Sequence, residues 1–396
     1  MKHLRTLSTR SLVVLAAAVA LIAVGGTTIA IASAGSGPVP AGKALAQAVH
    51  DGLSATAPDG VTARIKFTNR LLPSGALEGQ VGSALMSGAS GRLWLRNDGR
   101  GRLELQSTAG DVQIVWNQDK VTVFDASSNT AYSANLPAGK ANHADKAKTK
   151  AIPSVAEIGD FLSKLGQKAT VSGAQPSNVA GTPAYTVKVS PKESGGLLGS
   201  LQLAWDAARG IPLRIAVYAR GVAKPVLALE ATQVSYGSVP LASVDVSPPA
   251  SAKKVDLGNP ASALDHKNSA KKQKHPDASG LAAVRAAAGF PVVAPDQVSG
   301  LQRSLVRLVG KGDKQAVLVT YGEGLGAIAV VEHKASGKAG GQLGALPEIP
   351  LAGGVKGHEL TTPLGTVIEW SRGDVQFVLA GSVIASTAEA AANSLR

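Results

Sequence analysis

The sequence contains no cysteine among its 396 residues, and only 4% of its residues are aromatic. The absence of cysteine excludes disulfide bonds, thiolate zinc sites, iron–sulfur clusters, a cysteine nucleophile and a lipid-anchored cysteine. The shortage of aromatic residues argues against a protein that stacks nucleobases along a groove. Only 17% of the residues are charged whereas 44% are hydrophobic, which excludes a mainly disordered chain. The length instead indicates two folded domains.

The first 34 residues predict a membrane-targeting leader. Three basic residues precede an uncharged stretch at 11–34, which ends in the small residues Ala-Ser-Ala. Because 24 uncharged residues exceed a typical signal-peptide core of about 7–15 and reach the roughly 20 of a spanning helix, both a signal peptide cleaved after Ala34 and a retained signal-anchor (transmembrane) helix fit. The basic start keeps the N-terminus inside in either case. We therefore expect an extracytoplasmic protein, secreted or anchored to the plasma membrane by the N-terminal helix.

The formal net charge of +13 is unevenly distributed. The leader carries three of these charges, the stretch 138–150 has a net charge of +3, and the stretch 253–276 has a net charge of +4. Neither stretch has apolar periodicity, so they are typical of a solvated loop and an interdomain linker. This distribution does not favour nucleic acid as a partner. Attraction to anionic lipid headgroups or to an acidic envelope polymer fits the expected compartment better, and simple solubility fits equally well.

Alternating apolar and polar residues predict a β-rich first domain at 35–250, before a basic linker at 251–277. Turn residues separate the runs, which indicates an antiparallel meander. The strands are predicted at 61–67, 91–96, 101–107, 112–116, 121–124, 184–189, 200–205, 213–219 and 226–234. Helices are predicted at 43–57 and 154–168, and Ser154 with Glu157 predicts a capping box for the second of these helices.

A smaller second domain is predicted at 278–396. It begins with a helix at 278–288 and an extended arm at 290–295, and it ends with a helix at 384–396. Strands between them are predicted at 304–309, 316–321, 327–333, 366–371 and 375–380.

Three stretches of the first domain combine these strand and turn residues in a recurring order. They are GRLWLRNDGRGRLELQSTAGDVQIVWNQDKVTVFD (91–125), LAWDAARGIPLRIAVYARG (203–221) and VSYGSVPLASVDVSPPASAKKV (234–255). They resemble the outer-membrane lipoprotein carrier (LolA-like) superfamily, which includes the MucB/RseB-type periplasmic regulators. Residues 281–396, with GFPVVAP and EWSRGDVQFVLAG, resemble the C-terminal domain of the MucB/RseB proteins.

The resemblance implies an α+β fold. A curved antiparallel half-barrel would have an apolar concave side covered by helices, and a smaller C-terminal α+β domain would follow. The two-residue period places the apolar residues of several predicted strands on one face. These candidate ligand-binding residues are Leu93, Leu95, Leu103, Leu105, Ile114, Trp116, Val121, Val123, Leu203, Trp205, Ile215 and Val217. The sequence leaves open whether this face is only a packed core or is partly open to an acyl chain or lipopeptide.

No catalytic, metal or cofactor site is predicted. Only His50, His333 and His358 lie in predicted folded regions, and none has ligand partners at metal-binding spacing. The glycine-rich stretch at 322–326 leads into a strand and not a helix, so it predicts a hairpin turn and not a dinucleotide loop. A secreted hydrolase is not favoured, because no nucleophile motif is present.

These observations predict a non-enzymatic extracytoplasmic protein without a cofactor. It would bind an apolar envelope ligand (lipid, lipoprotein or lipopeptide) as a carrier or sensor. The resemblance implies an alternative, in which the chain regulates an anti-sigma factor in envelope-stress signalling. The expected partners are accordingly an apolar ligand or lipoprotein, a membrane surface and a membrane-protein partner such as an anti-sigma factor, and not nucleic acid.

Overall fold

The structure is a computed structural model that describes residues 37–71, 84–136, 152–192, 195–257, 278–310, 312, 315–335 and 346–396. It has a mixed α+β architecture in which two sheets carry a few helices. The predicted leader lies outside the described residues, as do most of the lysine-rich loop and most of the basic linker.

The first sheet is a curled half-barrel, and thirteen of the described strands form it. They are β1 (Gly60–Asn69), β2 (Ala89–Arg96), β3 (Gly101–Ser107), β4 (Gly110–Trp116), β5 (Lys120–Asp125), β6 (Thr130–Asn135), β7 (Ala169–Val171), β8 (Gln175–Val179), β9 (Thr182–Pro191), β10 (Leu198–Asp206), β11 (Pro212–Ala219), β12 (Leu227–Tyr236) and β13 (Lys253–Asp256). The strand order is β13-β6-β5-β4-β3-β2-β1-β12-β11-β10-β9-β7, and β8 pairs with β9. Register shifts in the β1–β12 and β10–β11 pairs mark bulges, which bend strands and increase their twist.

Three helices accompany this sheet: α1 (Leu45–Ser54), α2 (Ala84–Ser87) and α3 (Val155–Lys168). Helix α2 packs against β1, β3 and β4. Leu45 and Val49 of α1 and Leu165 of α3 belong to a cluster whose buried residues include Val187 of β9 and Leu203 of β10. The helices therefore cover two separate parts of the sheet.

The second sheet contains eight of the described strands, in the order β14-β15-β16-β17-β21-β20-β19-β18. They are β14 (Gln297–Val298), β15 (Leu301–Val309), β16 (Ala316–Tyr321), β17 (Ile328–Lys334), β18 (Glu348–Leu351), β19 (Val355–Thr362), β20 (Gly365–Arg372) and β21 (Val375–Gly381). Helices α4 (Leu281–Ala287) and α5 (Ala385–Ser394) contribute buried residues to one core with this sheet.

Every strand predicted from alternation is present, and so are the four predicted helices. The capping box of α3 is also confirmed, because the Glu157 amide donates to Ser154 Oγ at 3.3 Å and the Ser154 amide donates to Glu157 Oε2 at 2.9 Å. This contact with the Ser154 amide lowers the pKa of Glu157. The stretch at 322–326 connects the antiparallel strands β16 and β17, as predicted.

The structure corrects the start of the predicted linker at residue 251. Strand β13 lies inside that segment and pairs in parallel with β6. Strand β6 was also not predicted, nor were β7, β8, β14, β18 and β19. The pairing of β6 with β13 joins segments more than a hundred residues apart, so local alternation does not reveal it.

A buried carboxylate lies in the core of the second domain. Glu332 of β17 is fully buried, and its Oε2 accepts a hydrogen bond of 2.9 Å from the amide of Val293 in the extended arm. Its Oε1 has no hydrogen-bond partner within the described residues. Burial raises the pKa of Glu332 to about 7, although the Val293 amide and the charge of Arg285 oppose this effect.

The substitution Glu332→Gln should change how stability depends on pH. The pKa of Glu332 in the folded protein, about 7, exceeds its ordinary value of 4.5, so the stability it contributes is lost as the pH rises from 4.5 to 7. Glutamine keeps an acceptor for the Val293 amide but carries no charge. We expect the variant to gain roughly 3 kcal/mol over the wild type between pH 4.5 and pH 8.

Urea unfolding measures this gain when hydrogen exchange in the second domain is used as the readout. Glu323→Gln, at an exposed residue between β16 and β17, is the matched control. A difference between the Glu332→Gln variant and the wild type that is the same at pH 5 and pH 8 would contradict the prediction.

Candidate functional site

The candidate residues on β2 to β5 share one face of the sheet. The register places Leu93 opposite Leu103, Leu103 opposite Ile114, and Ile114 opposite Val123. These four residues and Leu105 belong to a cluster that also contains Ala84 and Leu85 of α2. Leu105 is buried in this core, and the other four residues are half-buried and pack against it.

The remaining candidates on these strands are Leu95, Trp116 and Val121. Each lies two residues along its strand from Leu93, Ile114 or Val123, respectively. Leu95 is opposite Gly101, Gly101 is opposite Trp116, and Trp116 is opposite Val121. Leu95, Trp116 and Val121 are half-buried. The two-residue period thus placed these side chains on one face correctly, although burial along that face varies.

The candidate residues on β10 and β11 differ in burial. Leu203 and Trp205 are buried, whereas Ile215 is 37% exposed and Val217 is half-buried. Ile215 lies directly opposite Leu203 on one side and directly opposite Leu229 of β12 on the other. Leu229 is 36% exposed, so the apolar face is partly open at β11 and β12.

An apolar cavity of about 100 Å³ lies between α1, α3 and the sheet. Its lining residues are all apolar or glycine: Leu45, Val49, Gly52, Leu53, Ile158, Phe161, Leu162, Leu165, Val171, Val187, Val189, Leu203, Trp205, Gly210 and Pro212. Of the twelve candidates, only Leu203 and Trp205 line this cavity.

Most of the remaining lining residues come from the two helices, and the sequence analysis did not include them in the site. The apolar spacing of the helices could have identified them. Leu45, Val49 and Leu53 repeat every four residues on α1 and therefore share one side of the helix. Ile158 and Leu162 do the same on α3. His50 Nδ1 of α1 also lies 2.9 Å from the carbonyl oxygen of Pro153, just before α3.

A close backbone contact positions α1 over the end of β10. Gly210, in the turn after β10, has a φ of +64°, which favours glycine. A Cβ atom at this position would lie 2.0 Å from the carbonyl oxygen of Gly52 in α1. Glycine at 210 therefore lets α1 approach the sheet closely enough to close one end of the cavity.

A buried aspartate fixes the same turn. Asp206 is 1% exposed, and its Oδ1 accepts hydrogen bonds from the amides of Ala208 and Arg209 at 2.8 and 2.9 Å. Its Oδ2 accepts a hydrogen bond of 2.6 Å from the hydroxyl of Tyr236. Burial, followed by the contact with Asp206, raises the pKa of Tyr236. Asp206 is thus a structural turn residue.

Histidine and carboxylate side chains are the possible metal ligands among the described residues, since the sequence has no cysteine. No group of three or more histidine, aspartate or glutamate residues among them could hold a metal ion. Each of His50, His333 and His358 has its Nδ1 within hydrogen-bond distance of a backbone carbonyl. In the described chain, no helix is both long enough and apolar enough to cross a membrane.

Comparisons with known proteins found no matching family model and no matching curated protein. Among solved structures, MucB in complex with MucA(peri) is 15% identical and covers 89% of this chain and 96% of its own, with a TM-score of 0.41. The Pseudomonas aeruginosa MucA/MucB complex is 16% identical and covers 89% of this chain and 98% of its own, with a TM-score of 0.42. An uncharacterized conserved protein from Thermus thermophilus is 12% identical and covers 54% of this chain and 96% of its own, with a TM-score of 0.32.

The substitution Tyr236→Phe should destabilise the first domain. It removes the hydroxyl that donates to the buried carboxylate of Asp206. We expect the free energy of unfolding to fall by about 1–3 kcal/mol, as measured by urea denaturation. Tyr132→Phe, at a tyrosine that is 38% exposed, is the matched control. Equal effects of the two substitutions would show that the contact with Asp206 does not stabilise the fold.

Proposed function

We propose that this chain is an extracytoplasmic, non-enzymatic binding protein whose cavity holds an apolar part of an envelope ligand. The ligand would be a lipid, lipoprotein or lipopeptide. The observation that carries the proposal is the cavity lining, in which all the side chains are apolar. Such a lining favours apolar groups because their transfer out of water is favourable. It provides no side chain that could act as a general acid, base or nucleophile.

The size of the cavity limits what it holds. About 100 Å³ is below the roughly 300–1,000 Å³ typical of sites that enclose a whole small molecule. The cavity therefore suits one end of an acyl chain. The remainder of such a chain would lie on the sheet face beside it.

The open part of the apolar face offers a surface for that remainder. Leu203 lines the cavity, and Ile215, Leu229 and Phe67 follow it in register across β11, β12 and β1. Neighbouring strands are about 4.8 Å apart, so this row is roughly 14 Å long. Ile215 and Leu229 are the two exposed members, and they leave an apolar strip uncovered next to the cavity.

The substitution Leu162→Trp should prevent ligand binding while the fold is retained. Leu162 is half-buried and lines the cavity, so a larger side chain occupies the space that the ligand would take. We expect lipid that copurifies with the full chain, measured by extraction and mass spectrometry, to fall at least about tenfold, since overpacking excludes the chain end.

Leu305→Trp is the matched control, because Leu305 is 42% exposed in the second domain. It should leave the copurified lipid unchanged. Wild-type protein that carries no lipid and also binds no acyl probe would overturn the proposal.

The second candidate function is regulation of an anti-sigma factor in envelope-stress signalling. The observation that favours a protein partner is an apolar row on the second sheet: Leu318 lies opposite Val331, and Val331 lies opposite Val378. All three are half-buried, whereas their chain neighbours Val317, Val330 and Phe377 point into the core on the other face. An antiparallel sheet usually has polar residues on its open face, so an apolar row there is typical of an interface.

The substitution Val331→Glu should separate the two candidates. If the second sheet binds an anti-sigma factor, the full chain should recover that factor from membranes, and the glutamate should abolish recovery because it places a charge in an apolar contact. Quantitative mass spectrometry of the recovered proteins measures this. Leu241→Glu, at a residue that is 43% exposed in the first domain, is the matched control. Recovery of lipid without any anti-sigma factor would contradict this second candidate.

A further inference from the structure

We propose that one flank of α3, formed by Phe161, Lys164 and Lys168, docks on an anionic lipid bilayer. We call this surface the α3 flank. The inference rests on the proposed function, because docking there would let the cavity take its apolar ligand directly from the membrane. It adds a particular surface and orientation to the general expectation of a membrane partner.

Phe161 lies at the boundary between the cavity and water. It lines the cavity, and yet 41% of it is exposed. A phenyl ring in this position leaves apolar surface in contact with solvent, and removing that surface from water would be favourable. Because the ring belongs both to the cavity wall and to the surface, whatever covers it would be in contact with the cavity.

The charges beside Phe161 indicate what covers it. Lys164 and Lys168 are three and seven residues further along α3, so they lie on the same side of the helix as Phe161. Both are exposed. An exposed aromatic ring with lysines next to it on one helix is typical of a helix that lies in the interface of an anionic membrane.

A second, open cleft lies next to the cavity, and its lining combines apolar and polar residues. It shares Leu45, Leu162 and Val171 with the cavity, and its other lining residues include Lys192, Ser163, Thr170 and Ser172. Lys192 Nζ donates to the carbonyl of Gly166, near the C-terminal end of α3. An apolar cavity that adjoins a cleft with hydroxyl and ammonium groups matches the two parts of an anionic lipid.

Both acidic residues of α3 lie in its first two turns, before Phe161. The carboxylate of Glu157 is engaged in the capping box with Ser154. Asp160 is four residues before Lys164 and offsets part of the charge of that lysine, whereas Lys168 lies about two turns beyond Asp160. The C-terminal half of α3 is therefore its basic half, and an anionic surface attracts lysines that lie close to it. A bilayer also contains apolar chains of the kind that the cavity would hold.

The absence of cysteine makes a site-specific test possible. We would label Phe161→Cys in the full chain with an environment-sensitive NBD fluorophore and add phosphatidylcholine vesicles with or without about 30% phosphatidylglycerol, which supplies the negative surface potential that attracts lysines. We expect a blue shift of the emission, and quenching by nitroxide-labelled lipid, with the anionic vesicles only. Leu305→Cys in the second domain is the control and should show neither, even if the leader anchors the chain.

Charge reversal tests the lysines. Lys164→Glu combined with Lys168→Glu should lower the quenched fraction of the label by about tenfold, since attraction becomes repulsion. An unchanged emission with both types of vesicle would overturn the proposal, and an equal shift with neutral vesicles would overturn the role of the lysines. A blue shift that appears only with membranes that contain protein, and not with the lipid vesicles, would also overturn it. The two proposals can fail separately. If Leu162→Trp loses its copurified lipid but the label at position 161 is not shielded by vesicles, the proposed function stands and only the docking is rejected.

Discussion

The packing of α1 and α3 onto β9 and β10 is the contact on which the candidate site depends. Trp205 and Leu203 provide the sheet side of this contact, and Ala48 of α1 is buried against them. The turn after β10 sets the distance, because Gly210 admits the backbone of α1 and Asp206 holds the turn in place. If the helices packed more tightly, no cavity would remain, and if they packed less tightly, the apolar lining would be exposed to water.

The same sheet has two differently covered regions. Beneath α2, the row from Leu93 to Val123 contributes to a packed core. At β11 and β12, Ile215 and Leu229 remain exposed although they lie on the face that carries Leu203. Since all of these residues are apolar, their chemistry does not distinguish core from site. The placement of the helices makes that distinction.

The second domain has a buried carboxylate on one face of its sheet and an apolar row on the other. Glu332 is buried among apolar residues with one oxygen bonded to the Val293 amide, so the attachment of the extended arm involves a titratable group. On the opposite face, Leu318, Val331 and Val378 form an apolar row that no described helix covers.

Local sequence patterns were enough to predict the α+β class, the strands and helices named in the sequence analysis, the capping box at Ser154 and Glu157, and the shared face of the candidate residues on β2 to β5. These features depend on local propensity and on the two-residue period, both of which are visible in neighbouring residues. Only the tertiary structure decided that Leu203 and Trp205 line a cavity while Leu105 is core and Ile215 is exposed. It also decided that β13 pairs with β6. The physical reason is that burial and parallel pairing depend on which distant segments pack together, and residue type alone does not specify this.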